Sequence, residues 1–149
     1  MKHHTTQALF NYWTRKRGRR RAPVRSDIDP ADIRRILADT FILTADFVNE
    51  IRVRLAGTRV CALFAREIKG ETFDDLWSEA SREQVHDLVT AVVDENAGVV
   101  AGVLGRTEQG AEIELELLLL PLAFDGERAC VQLARWLPRR PRFGLASDR

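Results

Sequence analysis

The chain has 149 residues, of which 45% are hydrophobic and 30% charged, so it is long enough for one domain with a real core and too short for most multidomain enzymes. The net charge is only +1, but it is unevenly spread: residues 15–25 carry seven basic and no acidic side chains, residues 135–149 carry five basic and one acidic, and the rest holds 11 basic and 21 acidic, a net of −10. A basic arm and tail on an acidic body exclude a uniformly basic nucleic-acid binder.

The first predicted element is a helix over about residues 5–16. Leu9, Phe10 and Trp13 would lie on one side of it, which gives it an apolar face. Such a face must be covered either by the protein's own sheet or by another chain. We predict the second case, a homodimer that associates through this helix and the outer face of the sheet.

A second helix and two strands are predicted next. Asp29-Pro30 favours a helix start, over about residues 30–39, because aspartate accepts hydrogen bonds from free amide groups and proline suits the first helical position. Residues 41–46 are predicted to form a strand. Residues 51–55 alternate strictly between apolar and charged, which is typical of a strand with one buried face. The residues between them, 47–50, would connect a hairpin.

One longer helix follows two short helical turns around Phe64 and Trp77. Ser81 to Gln84 has the pattern of a capping box, which predicts a helix over residues 82–96 that stops near Gly98. Its apolar residues recur with helical spacing and form the strongest stripe in the chain: Val85, Leu88, Val89, Val92 and Val93.

The last third of the chain has β patterning. Strands are predicted over residues 99–106, 112–117 and 129–137, with turns at 108–110 and 125–126. In the middle strand, glutamates alternate with apolar residues, so three carboxylates are expected in a row on the solvent side of the sheet: Glu112, Glu114 and Glu116.

Two segments resemble a known family. In residues 55–77 a strand runs into a small helix ending Leu63-Phe64, followed by Glu67 two residues before Lys69-Gly70 and then by Phe73-Asp-Asp-Leu. This pattern is similar to the corresponding segment of PAS domains, which are small sensor modules. Many PAS sequences carry glycine after the Leu-Phe pair, whereas this chain has Ala65.

The upstream segment supports the same resemblance. Tyr12-Trp13 is followed by Pro23-Val-Arg-Ser-Asp-Ile-Asp-Pro30, which resembles the entrance of a bacterial stand-alone PAS-like family. The resemblance implies an α+β PAS fold: a five-stranded antiparallel sheet in the order 2-1-5-4-3, helices on one face, and an extra N-terminal helix. The expected organisation is a helix and basic arm over 1–26, a PAS-like domain over 27–138, and a basic tail over 139–149.

A cavity between the sheet and the long helix could hold a small molecule, although the same residues could equally form a filled core. The candidate pocket residues come from the apolar strand faces, the short helical turns and the long helix: Val53, Leu55, Phe64, Phe73, Trp77, His86, Leu88 and Leu115. Trp77 is expected to be buried in the core.

No cofactor or metal is predicted. His86 would point about 90° away from the apolar stripe of its helix, which argues against a haem ligand, and Cys61 lacks the sequence context of flavin-binding relatives. Arg21-Ala-Pro-Val-Arg25 matches only half of a cyclic-dinucleotide site. With no phosphate-binding loop, nucleophile elbow or metal-binding motif in the sequence, the chain is not expected to be an enzyme.

The resemblance implies a regulatory or sensory protein of a signalling pathway, which acts through a protein partner. Two isolated cysteines, a polar N-terminus and the lack of a long apolar run predict a cytoplasmic protein without a membrane span. The alternative is a nucleic-acid or anionic-surface binder that uses the arm, with Arg19, Arg20 and Arg21 as candidate contacts. The arm is otherwise expected to dock on the glutamate row.

Overall fold

The computed structural model describes residues 1, 4–45, 50–106, 109–123 and 131–138. Three helices are present in these ranges: α1 (His4–Arg17), α2 (Thr58–Leu63) and α3 (Glu79–Glu95). The strands are β1 (Thr40–Ala45), β2 (Ile51–Ala56), β3 (Val99–Arg106), β4 (Glu112–Leu122) and β5 (Val131–Pro138). The predicted hairpin connection, the turn at 125–126 and the tail 139–149 lie outside the described residues.

The five strands form one sheet in the spatial order β2-β1-β5-β4-β3, and all neighbours are antiparallel. Short β-connections and one helical segment of about 40 residues between β2 and β3 are enough to produce this order. The helical segment 57–98 leaves the sheet after an edge strand and returns to form the opposite edge.

Residues 115–122 of β4 are buried on both faces of the sheet, because alternate residues join two separate cores. Leu115, Leu117 and Leu119 join the inner core, which α2 and α3 cover. Phe73 lies at its centre with 0% exposure, and its ring contacts those of Phe41 and Trp77 at centroid distances of 5.8 Å each. Trp77 itself is only half-buried, which corrects the expectation of full burial.

The outer core lies between the sheet and α1. Leu9 and Trp13 of α1 are 0% and 3% exposed, and they pack with Leu118 and Leu120 of β4. The indole N–H of Trp13 donates to the Pro121 carbonyl oxygen at 2.8 Å. The apolar face that we predicted to bind a second chain, with Phe10 half-buried beside it, is therefore covered by the protein's own sheet.

α1 is also held by a polar cluster. The Tyr12 hydroxyl donates to Asp32 Oδ2 at 3.2 Å and accepts a hydrogen bond from the Asp29 amide at 3.0 Å. Lys16 Nζ lies 3.2 Å from the same Asp32 carboxylate. Burial raises the pKa of Tyr12, and the hydrogen bond from Lys16 lowers the pKa of Asp32.

Two local predictions are wrong, the helix over 30–39 and the start of α3. Residues 30–36 form turns rather than a helix, with a single 3-10 turn at Leu37–Asp39, although Asp29 Oδ1 does accept from the Ala31 amide at 2.8 Å. α3 begins one turn earlier than predicted, after Ser78. It ends at Asn96, whose φ of +53° is the left-handed conformation of a helix cap.

Two exposure predictions are also wrong. Leu55 is 42% exposed because the β1–β2 register jumps from Ile42 opposite Leu55 to Leu43 opposite Val53. This bulge turns Leu55 to the outer side of the sheet. Glu116 is 2% exposed, because the outer face is covered along this part of β4, and the row of exposed carboxylates ends at Glu114.

Candidate ligand-binding cleft

A cleft of about 1030 Å³ lies between α3 and the β3–β4 side of the sheet. Residues from the end of α2, from the 3-10 turn Phe73–Leu76 and from the start of α3 also line it. Its apolar lining comes from all of these elements: Leu63, Phe64, Leu76, Trp77, Val85, Leu88, Val99, Val100, Ala101, Val103, Leu104, Ile113 and Leu115.

One flank of α3 supplies polar groups to the cleft. Ser81, Gln84 and Val85 share one side of the helix with Leu88, since residues three and four apart are neighbours, and Ser78 and Asp87 also line the space. The Ser78 and Ser81 hydroxyls are hydrogen-bonded to each other at 3.1 Å. The cleft can therefore hold a mainly apolar molecule and offer hydroxyl, amide and carboxylate groups to a polar end.

Four of the predicted pocket residues line the cleft together: Phe64, Trp77, Leu88 and Leu115. Val53 and Phe73 are instead closed into the inner core, with exposures of 1% and 0%. Leu55 lies on the opposite face of the sheet, as described above.

His86 lies outside the cleft lining and binds within the protein. Its Nδ1 is 2.7 Å from Asp74 Oδ2, so it joins α3 to the 3-10 turn Phe73–Leu76 that carries the cleft residue Leu76. Cys61 is also outside the lining; its Sγ–H lies 3.5 Å from Glu67 Oε1. In the ranges that the structure describes, no group of histidine, cysteine and acidic residues could hold a metal ion.

Sequence reasoning missed β3 as a wall of the cleft. Its inward residues Val99, Ala101, Val103 and Gly105 are half-buried, and those between them are exposed. The residues of β3 show no alternation of apolar and polar types in the sequence, so the pattern alone does not tell which face of the strand lines a cleft.

Much of the predicted basic arm, residues 15–25, is held within the fold. Arg15 to Arg17 form the last turn of α1, and Ala22 is buried in the outer core. Arg19, Arg20 and Arg21 are exposed, and Arg20 Nη2 lies 2.6 Å from Asp27 Oδ2. Hydrogen bonds from the Val24 amide and from Arg20 lower the pKa of Asp27.

Among the described residues, none of the helices is both long and apolar enough to cross a membrane.

An antiparallel sheet of this order, covered by short helices with a cleft beside the longest one, defines a class of small sensory modules. The chain belongs to the PAS domain family, whose model matches residues 1–133. PAS domains are sensory and signalling modules. The comparison with curated proteins finds no match.

Solved structures of PAS domains share the fold. The PAS domain of BvgS from Bordetella pertussis is 18% identical with a TM-score of 0.55, and the match covers 77% of this chain and 90% of that one. A PAS domain from Colwellia psychrerythraea is 14% identical with a TM-score of 0.51, covering 75% and 100%. A LOV protein from Rhodobacter sphaeroides is 13% identical with a TM-score of 0.55, covering 78% and 71%. At these identities the likeness shows the fold alone.

Proposed function

We propose that this PAS protein is a non-enzymatic cytoplasmic regulator that binds a small, mainly apolar molecule in the cleft and passes the signal to a protein partner. The observation that carries the proposal is the cleft itself. Its volume of about 1030 Å³ is at the upper end of the usual range for small-molecule sites, and its lining has their usual mixture of many apolar and few polar groups.

A ligand in this cleft would touch both layers of the domain. Leu88 of α3 and Leu115 of β4 line opposite walls, so an apolar molecule between them adds contacts that hold α3 on the sheet. Trp77 also lines the cleft. The His86–Asp74 hydrogen bond links the 3-10 turn that precedes Trp77 to α3. Ligand binding would therefore be felt at α3 and at the 3-10 turn together.

The proposal includes neither haem nor flavin. His86 is held by Asp74 outside the cleft lining, and Cys61 contacts Glu67 and the Ala56 carbonyl rather than the cleft. We also propose that the protein forms a homodimer. Its contact surface must differ from the apolar face of α1, because the sheet covers that face. We also propose that the protein belongs to the bacterial stand-alone PAS-like family, because of its Tyr12-Trp13 and Pro23–Pro30 motifs.

A second candidate function is binding to nucleic acid or another anionic surface. The exposure of Arg19, Arg20 and Arg21, directly after α1, supports it. Against it, Asp27 and Asp32 lie in the same segment and already take up Arg20 and Lys16, which reduces the charge available to phosphates.

The cleft is tested by filling it. Ala101 is a half-buried residue of the cleft wall, so Ala101→Phe places a ring in the space; Ala31→Phe, at an exposed position outside the lining, is the matched control. With 1-anilinonaphthalene-8-sulfonate as the probe, we expect saturable binding to the wild type and to the control. Binding to Ala101→Phe should weaken about tenfold or more, a loss of about 1.4 kcal/mol, because the ring occupies space that the probe would fill.

Circular dichroism of each variant is the control for a retained fold. The proposal is contradicted if the wild type shows no saturable binding, or if Ala101→Phe binds the probe as well as the wild type does.

A further inference from the structure

The two edges of the sheet differ in how they are covered. At the β2 edge, the Val53 amide donates to the Glu71 carbonyl oxygen at 2.9 Å, and the Gly70 amide donates to the Val53 carbonyl oxygen at 2.7 Å. A bridge between Arg52 and Thr72 continues this pairing. The segment 70–72 thus takes up hydrogen-bonding groups of β2 that would otherwise be open to another strand.

The β3 edge has no such cover among the residues that the structure describes. The backbone of β3 pairs with β4 along its whole length, and no other described strand or loop pairs with it. All eight residues of β3 border the cleft. Since side chains alternate between the two faces, the cleft must reach the strand's backbone, which places this edge at its opening.

β3 is also long and apolar for an edge strand. Residues 99–105 contain no charged side chain, and the outward residues Val100 and Leu104 are 39% and 65% exposed. Gly102 lies midway between them. Natural proteins usually protect such an edge with charges, proline or a covering segment, so an open one of this kind indicates an interaction surface.

We propose that two copies of this chain associate through their β3 edges, which pair antiparallel about a twofold axis at Gly102. In this register, Val100 of each copy faces Leu104 of the other, and Ala101 faces Val103. The two most exposed apolar residues of the strand then cover each other on the outer face, and no like charges are opposed.

Charge at the strand ends supports a second copy as the occupant. The only charged residue of β3 is Arg106, at its end, and the acidic residues Asp94 and Glu95, both exposed, lie just before its start. Antiparallel pairing about Gly102 brings Arg106 opposite Gly98 of the partner subunit, a residue that follows the acidic pair by three positions in the chain. Opposite charges therefore approach at both ends of the interface.

The closed β2 edge sets the size of the assembly. A sheet with two open edges could add chains without limit, whereas one open edge closes after a single contact. The result is a dimer with one continuous sheet across both subunits. This inference rests on the homodimer part of the proposed function and not on ligand binding in the cleft, so the variants used here differ from the cleft variants above.

The register predicts a charge-pair rescue. Leu104→Lys and Val100→Glu should each weaken dimerisation about tenfold or more, because each places a charge against an apolar partner. The double variant Val100→Glu/Leu104→Lys pairs each new lysine with a glutamate of the other copy, twice per dimer, and should recover most of the lost affinity. Leu37→Lys is the control, because Leu37 is likewise exposed, at 42%, but lies away from β3.

Sedimentation equilibrium at protein concentrations up to about 100 µM measures each dimer affinity, which suits a contact of modest area. Support requires a wild-type dimer, unchanged Leu37→Lys, two weakened single variants and a restored double variant. A monomeric wild type overturns the proposal, as does a Leu104→Lys variant that dimerises normally. A double variant no better than the single ones overturns the register. Val100 and Leu104 also border the cleft, so probe binding is measured on the wild type. A wild-type dimer that binds no probe would overturn ligand binding alone, and a monomeric wild type that binds the probe would overturn the dimer alone.

Discussion

A single residue after α2 carries backbone strain. Ala65 has a φ of +53°, in the left-handed region that an L-residue adopts at a cost of about 1–2 kcal/mol. The conformation ends the helix: the Arg66 amide donates back to the Cys61 carbonyl oxygen at 3.3 Å. This is the position at which the sequence carries alanine where many PAS domains carry glycine.

Ala65→Gly should therefore stabilise the protein. Relief of strain exceeds the extra entropy that glycine gives the unfolded chain, which is about 0.4–1 kcal/mol, so we expect a net gain of about 0.5–1 kcal/mol in the free energy of unfolding. The control Ala62→Gly, within α2, should lower it by about 0.5–1 kcal/mol. Urea unfolding gives both values, and a loss of stability in Ala65→Gly would contradict the argument.

Single-residue exposure was predictable wherever a strand keeps a regular register. Val53 and Leu115 face the inner core as the alternation in their strands predicts. Leu55 does not, because the bulge that turns it outward is a property of the β1–β2 pairing, and nothing in the sequence of β2 marks it. The exposure of Glu116 was also predicted wrongly, because the residues that bury it come from a different part of the chain.

Among the elements, β3 was predicted with its observed bounds, and the end of α3 was predicted to within one residue because its apolar stripe is periodic over many residues. β4 continues to Leu122, five residues past its predicted end. The start of α3 was missed by one turn, since Ser78 and Ser81 are both acceptable caps and only the backbone distinguishes them. The turns at 30–36 replaced a predicted helix because contacts with Tyr12, through Asp29 and Asp32, dominate over local propensity there.

The same contacts make the docking of α1 sensitive to acid. The pKa of Asp32 is lowered in the folded state, so its contribution is complete above the ordinary aspartate value of 3.8 and is lost as the pH falls through the lower folded value. We expect protection of α1 amides against hydrogen exchange, corrected for intrinsic rates, to fall as the pH drops below the ordinary aspartate value, before the inner core opens.

Asp32→Asn should remove this pH dependence from α1, with lower protection already at pH 7. Glu71→Gln is the matched control: the pKa of Glu71 is also lowered, by its hydrogen bond from Arg66, but the pair lies beside β2 rather than α1. Equal loss of α1 protection with acid in the wild type and in Asp32→Asn would show that another group controls α1.

At the scale of the whole molecule, basic residues of the arm pair with acidic residues that are close to them in the sequence. We expected the basic arm to dock on Glu112, Glu114 and Glu116, but Glu116 is buried and Glu112 lies 3.4 Å from Arg106. The arm's acidic partners in the structure are instead Asp27 and Asp32, within the segment that follows it.

The ion pairs of the arm are exposed, so salt should weaken them without unfolding the domain. We expect trypsin cleavage within residues 15–25 to accelerate between low and high ionic strength, after correction for the enzyme's rate on a small peptide. Asp27→Asn, which removes the partner of Arg20, should be cleaved at low salt nearly as fast as the wild type at high salt. Asp75→Asn, which removes the weaker contact of Arg82 at 3.9 Å, should leave arm cleavage unchanged. Cleavage of the wild type that does not depend on salt would mean that the buried contacts of Trp13 and Ala22, rather than charge, hold the arm in place.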